Sequence, residues 1–195
     1  MLRLRRATPS STIPASSPMC NASRLRPPWL WGPRSPLGLG AAVACLAIDQ
    51  AHKWWMLSVY GIREGQRVAV GPFLDVVFVI NPGISWGLFS RQSGGGQWFW
   101  TALAGFAALA MALWLARGVT NAMVAISVGL IMGGAVSNAI DRLWLGGVAD
   151  FFEPHALGWR WPAVFNIADA AIVAGVIGLL YDSLHMSRND ASKAM

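Results

Sequence analysis

Four apolar runs, each at least 20 residues long and almost free of charge, constrain this 195-residue chain more than any other feature. Residues 37–60 are interrupted only by Asp49, His52 and Lys53, residues 97–116 and 118–140 carry no formal charge, and residues 161–181 carry only Asp169. A helix crossing the hydrocarbon core of a bilayer needs about 20 apolar residues. The sequence therefore predicts a mainly α membrane protein with four transmembrane helices over those four ranges. Charged residues make up 12% of the chain, about half the share of soluble domains, which argues against a soluble globular protein, and the four apolar runs exclude a soluble enzyme. The tryptophans fit the same frame, because Trp29 and Trp31 precede the first run, Trp54 and Trp55 lie near its end, Trp98 and Trp100 open the second, and Trp159 and Trp161 open the fourth. Such pairs resemble the aromatic belts at membrane interfaces. Two cysteines, Cys20 and Cys45, are too few for a disulfide scaffold, and Cys45 is expected to pack among the helices.

The net charge of +6 belongs to a tail rather than to a groove. Residues 1–36 hold Arg3, Arg5, Arg6, Arg24, Arg26 and Arg34 with many prolines and serines and no acidic residue, so a disordered basic extension is expected there and no nucleic-acid partner is implied. Met19 is an alternative start, and the tail's composition also mimics a transit peptide. The tail, Arg117, Arg188 and Lys193 place more Lys and Arg on one face than Arg63, Arg67, Arg91, Arg142 and Arg160 place on the other. The positive-inside rule then puts both termini, including the tail 185–195, in the cytoplasm. Two connections, 61–96 and 141–160, fall outside. The first is too long for a turn, and its stretches Arg67-Val68-Ala69-Val70 and 73–80 are β-branched and aromatic, which predicts a small extracytoplasmic sheet. The Ser93-Gly94-Gly95-Gly96 run suits a flexible tether better than a phosphate loop, since no lysine follows it.

The polar residues inside these runs converge on one side of the bilayer. Asp49 and Lys53 are one helical turn apart in the outer half of the first span. Asn138, Asp141 and Arg142, spaced i, i+3, i+4, share a face at the outer end of the third. Asn166 and Asp169 lie near the outer start of the fourth, with Asp169 about 12 Å along the helix from Trp161. Asn81 and Asp150 belong to the two outer connections. Taken alone, Asp49 with Lys53 equally suits a self-neutralising structural pair, and Asp141 with Arg142 an interfacial anchor and its partner. Asp169 has no basic residue near it in sequence, and a carboxylate in a span marks a functional site. His52, His155 and His185 lack ligand spacing, so no metal is expected, and no nucleophile motif is present. Asp150 and Asp169, brought together, suit acid–base chemistry in which two carboxyls share one proton and hold a water between them. That arrangement hydrolyses a peptide bond without a covalent intermediate. The rival reading is a small proton- or ion-conducting protein relaying through Asp169 and Asp49.

Five motifs in order, Asp49-Gln50-Ala51-His52-Lys53, Asn81-Pro82-Gly83, the run from Gly133-Gly134-Ala135 through Asn138-Ala139-Ile140-Asp141-Arg142, Gly147-Val148-Ala149-Asp150-Phe151 and Phe165-Asn166-Ile167-Ala168-Asp169, resemble bacterial lipoprotein signal peptidases, also called signal peptidase II. The resemblance covers residues 37 to about 184. It implies a four-span intramembrane aspartyl protease of the bacterial inner membrane, with a small extracytoplasmic β-cradle. Such an enzyme removes signal peptides from diacylglyceryl-modified prolipoproteins by cleaving before the lipidated cysteine. It further implies a monomer surrounded by membrane lipid, acting without a cofactor, with Asp150 and Asp169 as the catalytic pair. Asn138, Arg142 and Asn166 fall on positions that support the pair and its substrate, and Asp49, Lys53, Asn81 and Asp141 on other polar positions of the family. Two departures stand out. Ile84-Ser85-Trp86 puts a bulky residue first where the family usually has two small ones, and Ser137 stands where the family typically has glycine, a change expected to be tolerated because serine is also small.

Overall fold

The computed structural model describes residues 31–83, 95–157 and 159–193. The basic extension up to residue 30 and the Ile84-Ser85-Trp86 departure lie outside the described residues. Helix α1, Ser35–Trp54, carries a proline in its first turn, where the missing N–H is not needed, and widens into a π-helical turn over Trp55–Val59. Helices α2 (Gly95–Ala116), α3 (Ala122–Leu145) and α4 (Ile167–Lys193) follow, with strands β1 (Arg67–Ala69) and β2 (Leu74–Asn81) between α1 and α2, and β3 (Val148–Ala156) and β4 (Trp159–Arg160) between α3 and α4. Three helical segments, Gly96–Ala116, Ala122–Leu145 and Ile167–His185, are long and apolar enough to cross a membrane. The apolar run of α1 is broken by Asp49, Gln50, His52 and Lys53.

Helix α3 is the axis of the bundle. On one side it lies parallel to α1, with Gly129 against the carbonyl of Gly38 and Gly133 against that of Ala42. On the other it runs antiparallel to α4, where a Cβ on Gly134 would stand 2.6 Å from the Ala168 carbonyl oxygen and 2.8 Å from Ile172 Cγ1. Small residues four apart let helix backbones approach this closely in an apolar medium. Helix α2 closes the bundle through Leu115, packed on Val119, Ala125 and Val128, and through Ala108 beside Ala42 and Met132. The outward faces remain apolar, with Val43, Ile48, Phe106, Leu109, Val173 and Ile177 all exposed.

Both ends of α3 and of α4 differ from the sequence expectation. Helix α3 starts at Ala122 rather than at 118, because Asn121 caps it, its side-chain oxygen accepting from the Met123 N–H at 2.9 Å. It then runs past 140 to Leu145 and stops at Gly146, whose φ of 76° is left-handed. Helix α4 starts at Ile167 rather than at 161, because the preceding segment pairs with the sheet: Trp161 N–H donates to the Pro154 carbonyl at 2.9 Å and Phe165 N–H to the Phe152 carbonyl at 3.0 Å. Asp169 therefore lies in the first turn of α4 and not about 12 Å along it. The helix continues to Lys193, into the stretch expected as a tail.

The expected sheet is present and larger than the sequence indicated, with the antiparallel order β1-β2-β3-β4. Val76 pairs with Phe152 but Val79 with Asp150, so β2 carries one extra residue in a bulge. A bulge reverses which side chains share a face. Beyond it, Val79 and Asn81 lie on the face of Asp150, which brings the Asn81 amide to that carboxyl. Asp75 and Glu153 stand directly opposite each other, and two guanidiniums clamp these like charges: Arg160 Nη1 is 2.6 Å from Asp75 and 2.7 Å from Glu153, and Arg67 Nη1 is 2.6 Å from Glu153. Phe78, Ala149 and Phe151 bury the sheet against Met56 and Ile62 at the end of α1. The sheet is thus fixed to the helices by a core of its own.

The close α3–α4 approach has a measurable consequence. Gly134→Ala places a methyl where no space exists and is expected to cost about 1–3 kcal/mol, seen as a lower thermal unfolding midpoint in detergent. Gly105→Ala, on α2 with nothing within 4 Å of the added carbon, is expected to leave the midpoint unchanged or raise it.

Candidate active site

At the sheet end of the bundle, α1 and α3 bring two i, i+4 pairs face to face: Asp49 with Lys53, and Ser137 with Asp141. The Lys53 ammonium donates to Asp49 Oδ2 and to Asp141 Oδ2, each at 2.6 Å, with the three side chains 3%, 0% and 4% exposed. Each carboxylate then reaches a second element. Asp49 Oδ1 accepts from the Ala168 N–H at the start of α4 (2.9 Å), and Asp141 Oδ2 from the Ala149 N–H at the start of β3 (3.1 Å). Ser137 Oγ donates to Asp49 Oδ2 at 2.6 Å, and Gln50 Nε2 donates to Ser137 Oγ and Asp141 Oδ1, both at 2.9 Å.

A layer of asparagines connects this centre to two further carboxyls. Asn138 Oδ1 accepts from Lys53 Nζ at 3.4 Å, while its Nδ2 donates to Asp169 Oδ1 at 2.8 Å. Asn166 caps α4: its Oδ1 accepts from the Asp169 N–H at 2.9 Å, and Asp169 Oδ2 accepts from the Asn166 N–H at 3.3 Å. That reciprocal pair is a capping box. The same Asn166 donates through Nδ2 to Asp150 Oδ1 at 2.8 Å and to Asn138 Oδ1 at 3.1 Å. Asn81 Nδ2 donates to Asp150 Oδ2 at 3.1 Å. Asp150 and Asp169 therefore stand side by side, each held by amide donors, with Asn166 common to both. Burial, and after it the neighbouring charge of Asp169, push the Asp150 carboxyl up to about 7, against the pull of the Asn81 and Asn166 hydrogen bonds.

Beside the two carboxyls a cavity of about 280 Å³ opens between α2, α3 and α4. Asn138, Arg142 and Asp169 form its polar end, and Trp100, Leu103, Ala104, Ala107, Ala135 and Ile172 the rest of the lining. Arg142 donates through Nη1 to the Asn138 carbonyl at 3.1 Å, and Gln97 donates to the Arg142 carbonyl, tying α2 to α3.

All nine residues singled out from the sequence thus meet at one end of the bundle. Asp141 and Arg142, adjacent in sequence, do different things: Asp141 turns inward to Lys53, and Arg142 faces the cavity. Three participants were missed. Ser137 registers in the sequence only as a small residue, Gln50 as a neighbour of Asp49, and Trp100 as one of a belt. The signal for Ser137 was its spacing to Asp141, the same i, i+4 as Asp49 to Lys53 on the facing helix. Lys53→Met leaves Asp49 and Asp141 buried without their cation and is expected to destabilise the fold by about 3–5 kcal/mol. Denaturant or thermal unfolding checks this, and adding Asp141→Asn to that variant is expected to recover part of the loss.

Known proteins share this arrangement of chain. The family model for signal peptidase (SPase) II matches residues 41–185. The lipoprotein signal peptidase of Methylocella silvestris is 50% identical over 156 residues, covering 79% of this chain and 90% of that protein. The lipoprotein signal peptidase of Beijerinckia indica subsp. indica is 48% identical over 151 residues, covering 76% and 89%. A bacterial membrane enzyme solved by the in meso method at 2.3 Å resolution superposes with a TM-score of 0.66 and 25% identity, over 79% of this chain and 91% of that one. A family match across the whole bundle and sheet, with near-half identity to relatives covered almost end to end, leaves one assignment: the chain belongs to the signal peptidase II family.

Proposed function

We propose that this protein is an intramembrane aspartic endopeptidase that removes the signal peptide from diacylglyceryl-modified prolipoproteins, cleaving before the lipidated cysteine. The observation that carries the reading is the pair Asp150 and Asp169, held side by side by Asn81, Asn138 and Asn166 at the polar end of an apolar bundle. With one proton between the two carboxyls, the ionised one takes a proton from a water as its oxygen attacks the scissile carbonyl carbon. The protonated one donates to the carbonyl oxygen. Collapse of the tetrahedral intermediate breaks the C–N bond, and the amine leaves with a proton from the dyad. Arg142, on the cavity side of Asp169, orients the substrate.

In this proposal α1 is the fourth span. It runs parallel beside α3 from Gly38 against Gly129 to Lys53 against Asp141, and so traverses the same thickness. The balance of Lys and Arg places both termini in the cytoplasm and the dyad and sheet outside. The enzyme acts as a monomer in lipid of the inner membrane. A conducting relay is not favoured. Between Asp49 and the far end of the bundle, the only buried polar side chains among the described residues are those of Ser35 and Ser127.

Asp150→Asn and Asp169→Asn are each expected to lower cleavage of a diacylglyceryl-modified prolipoprotein by about 10³-fold or more while the variants stay folded in detergent. Full activity in either variant would defeat the proposal. Because Asp150 titrates near 7, cleavage is expected to fall as the pH rises above that value and the dyad loses its shared proton, which a pH–rate profile reads directly. The same shift acts on stability. The folded chain holds the Asp150 proton more tightly than the unfolded chain does, so stability is lost as pH rises between the unfolded value, about 4, and about 7. Asp150→Asn is accordingly expected to raise the unfolding midpoint more at pH 8 than at pH 4.

A further inference from the structure

Two hydrogen-bond donors on the cavity beside the dyad have no partner among the described residues. Trp100 Nε1 and Arg142 Nε are both buried and unbonded, and both residues line the cavity with Asn138 and Asp169. A buried indole N–H ordinarily finds an acceptor, since leaving it bare forfeits its bond to water. Arg142 already has a role in the site described above, whereas Trp100 has been described only as part of the cavity wall. The N–H edge of the indole lies beside Gly83, just past the end of β2, where a Cβ would stand 3.4 Å from Trp100 Nε1, an ordinary contact distance, and only the absence of a side chain keeps that edge uncrowded. The backbone of Gly83 is itself bonded to Asn81, the partner of Asp150, through N–H to Oδ1 at 3.2 Å.

The surroundings define what fits there. Trp100, Leu103, Ala104 and Ala107 follow the spacing i, i+3, i+4, i+7 and form one stripe of α2 along the cavity. Facing them are Ala135 of α3 and Ile172 of α4. Trp100 is the polar head of an otherwise apolar wall, one helical turn from Gln97, which fixes α2 to Arg142. An indole N–H donates and never accepts. The group that satisfies it carries a bare acceptor oxygen, uncharged where it adjoins Leu103 and Ala104, with hydrocarbon continuing below.

We infer that Trp100 is a substrate-binding residue, its indole N–H donating to a carbonyl oxygen of the lipidated substrate while Leu103, Ala104 and Ala107 receive hydrocarbon. The inference rests on the reading of the site as a lipoprotein signal peptidase. Two carbonyls of that substrate have the required chemistry: an acyl ester of the glyceryl group, and a backbone carbonyl beside the modified cysteine.

The test compares the full-length protein with Trp100→Phe, and with a variant carrying β-(3-benzothienyl)alanine at position 100, which keeps the bicyclic shape and lacks only the N–H. Each is assayed on a prolipoprotein bearing a diacylglyceryl group and on one bearing the dialkyl ether analogue, with the unfolding midpoint measured alongside. The expected result is a rise in KM of about threefold to tenfold in both variants, with kcat and the midpoint little changed. A rise on the diester substrate alone assigns the bond to the acyl ester, and the unaltered protein then binds the ether analogue as weakly as the variants do. An equal rise on both substrates assigns it to the peptide. Unchanged KM on both substrates, in a protein that cleaves normally, overturns the inference and leaves the function standing. Failure of the unaltered protein to cleave either substrate overturns the reading of the site itself, and this inference with it.

Discussion

One lysine ammonium, buried between two carboxylates, is the interaction on which the rest of this structure depends. Taking such charges out of water is costly, and their attraction offsets the cost only where geometry is good and the remaining lone pairs are bonded. Both conditions hold at Lys53, with 2.6 Å to each carboxylate and Ser137, Gln50 and two backbone N–H groups completing the set. The two backbone groups matter most for function. Through Ala168, Asp49 fixes the start of the helix that carries Asp169. Through Ala149, Asp141 fixes the strand residue next to Asp150. The ion centre therefore sets the positions of both carboxyls of the proposed dyad without touching either.

The residues that reach the dyad directly are amides, and the choice has a physical reason. Asparagine cannot ionise, so its Nδ2 donates at every pH, and its Oδ1 remains free to accept from the next donor in line. Asn138 passes the lysine's influence to Asp169 in this way, and Asn166 joins Asp169 to Asp150 while capping α4. A basic residue in either place would pull the carboxyls toward permanent ionisation. Amides hold the geometry without adding a charge of their own.

How much of this is legible in the sequence follows from which interactions are local. The apolar runs and the i, i+4 pairing of Asp49 with Lys53 are periodic features of single helices, and periodicity survives in sequence. The start of α4 is not periodic. The stretch from Trp161 to Phe165 is as apolar as the helix that follows, and only Pro162 hinted that it runs extended and pairs with β3. Strand β3 went unplaced because its partner β2 lies some 70 residues earlier, and the bulge that turns Asn81 toward Asp150 leaves no trace in composition. Ser137 shows the limit most clearly. Its size was legible, but its hydroxyl acquires a role only when α1 presents Asp49 and Gln50 to it.

The same geometry gives the two carboxyls of the proposed dyad different surroundings. The cavity at Asp169 is walled by three helices, and its α2 wall carries Leu103, itself 45% exposed on the outer surface of the bundle. Its apolar lining is thus continuous with the face that the proposed orientation gives to lipid. Asp150 sits outside that lining, 1% exposed on strand β3, with Val79 of β2 as its pairing partner and the Asn81 amide on its carboxyl. The proposed dyad is thus drawn from two elements rather than from one helix: Asp169, in the first turn of α4, meets the apolar cavity, and Asp150 is enclosed by the sheet and its amide partners. Two carboxyls on a single helical face would share one environment, whereas a helix and a strand give the pair two different ones.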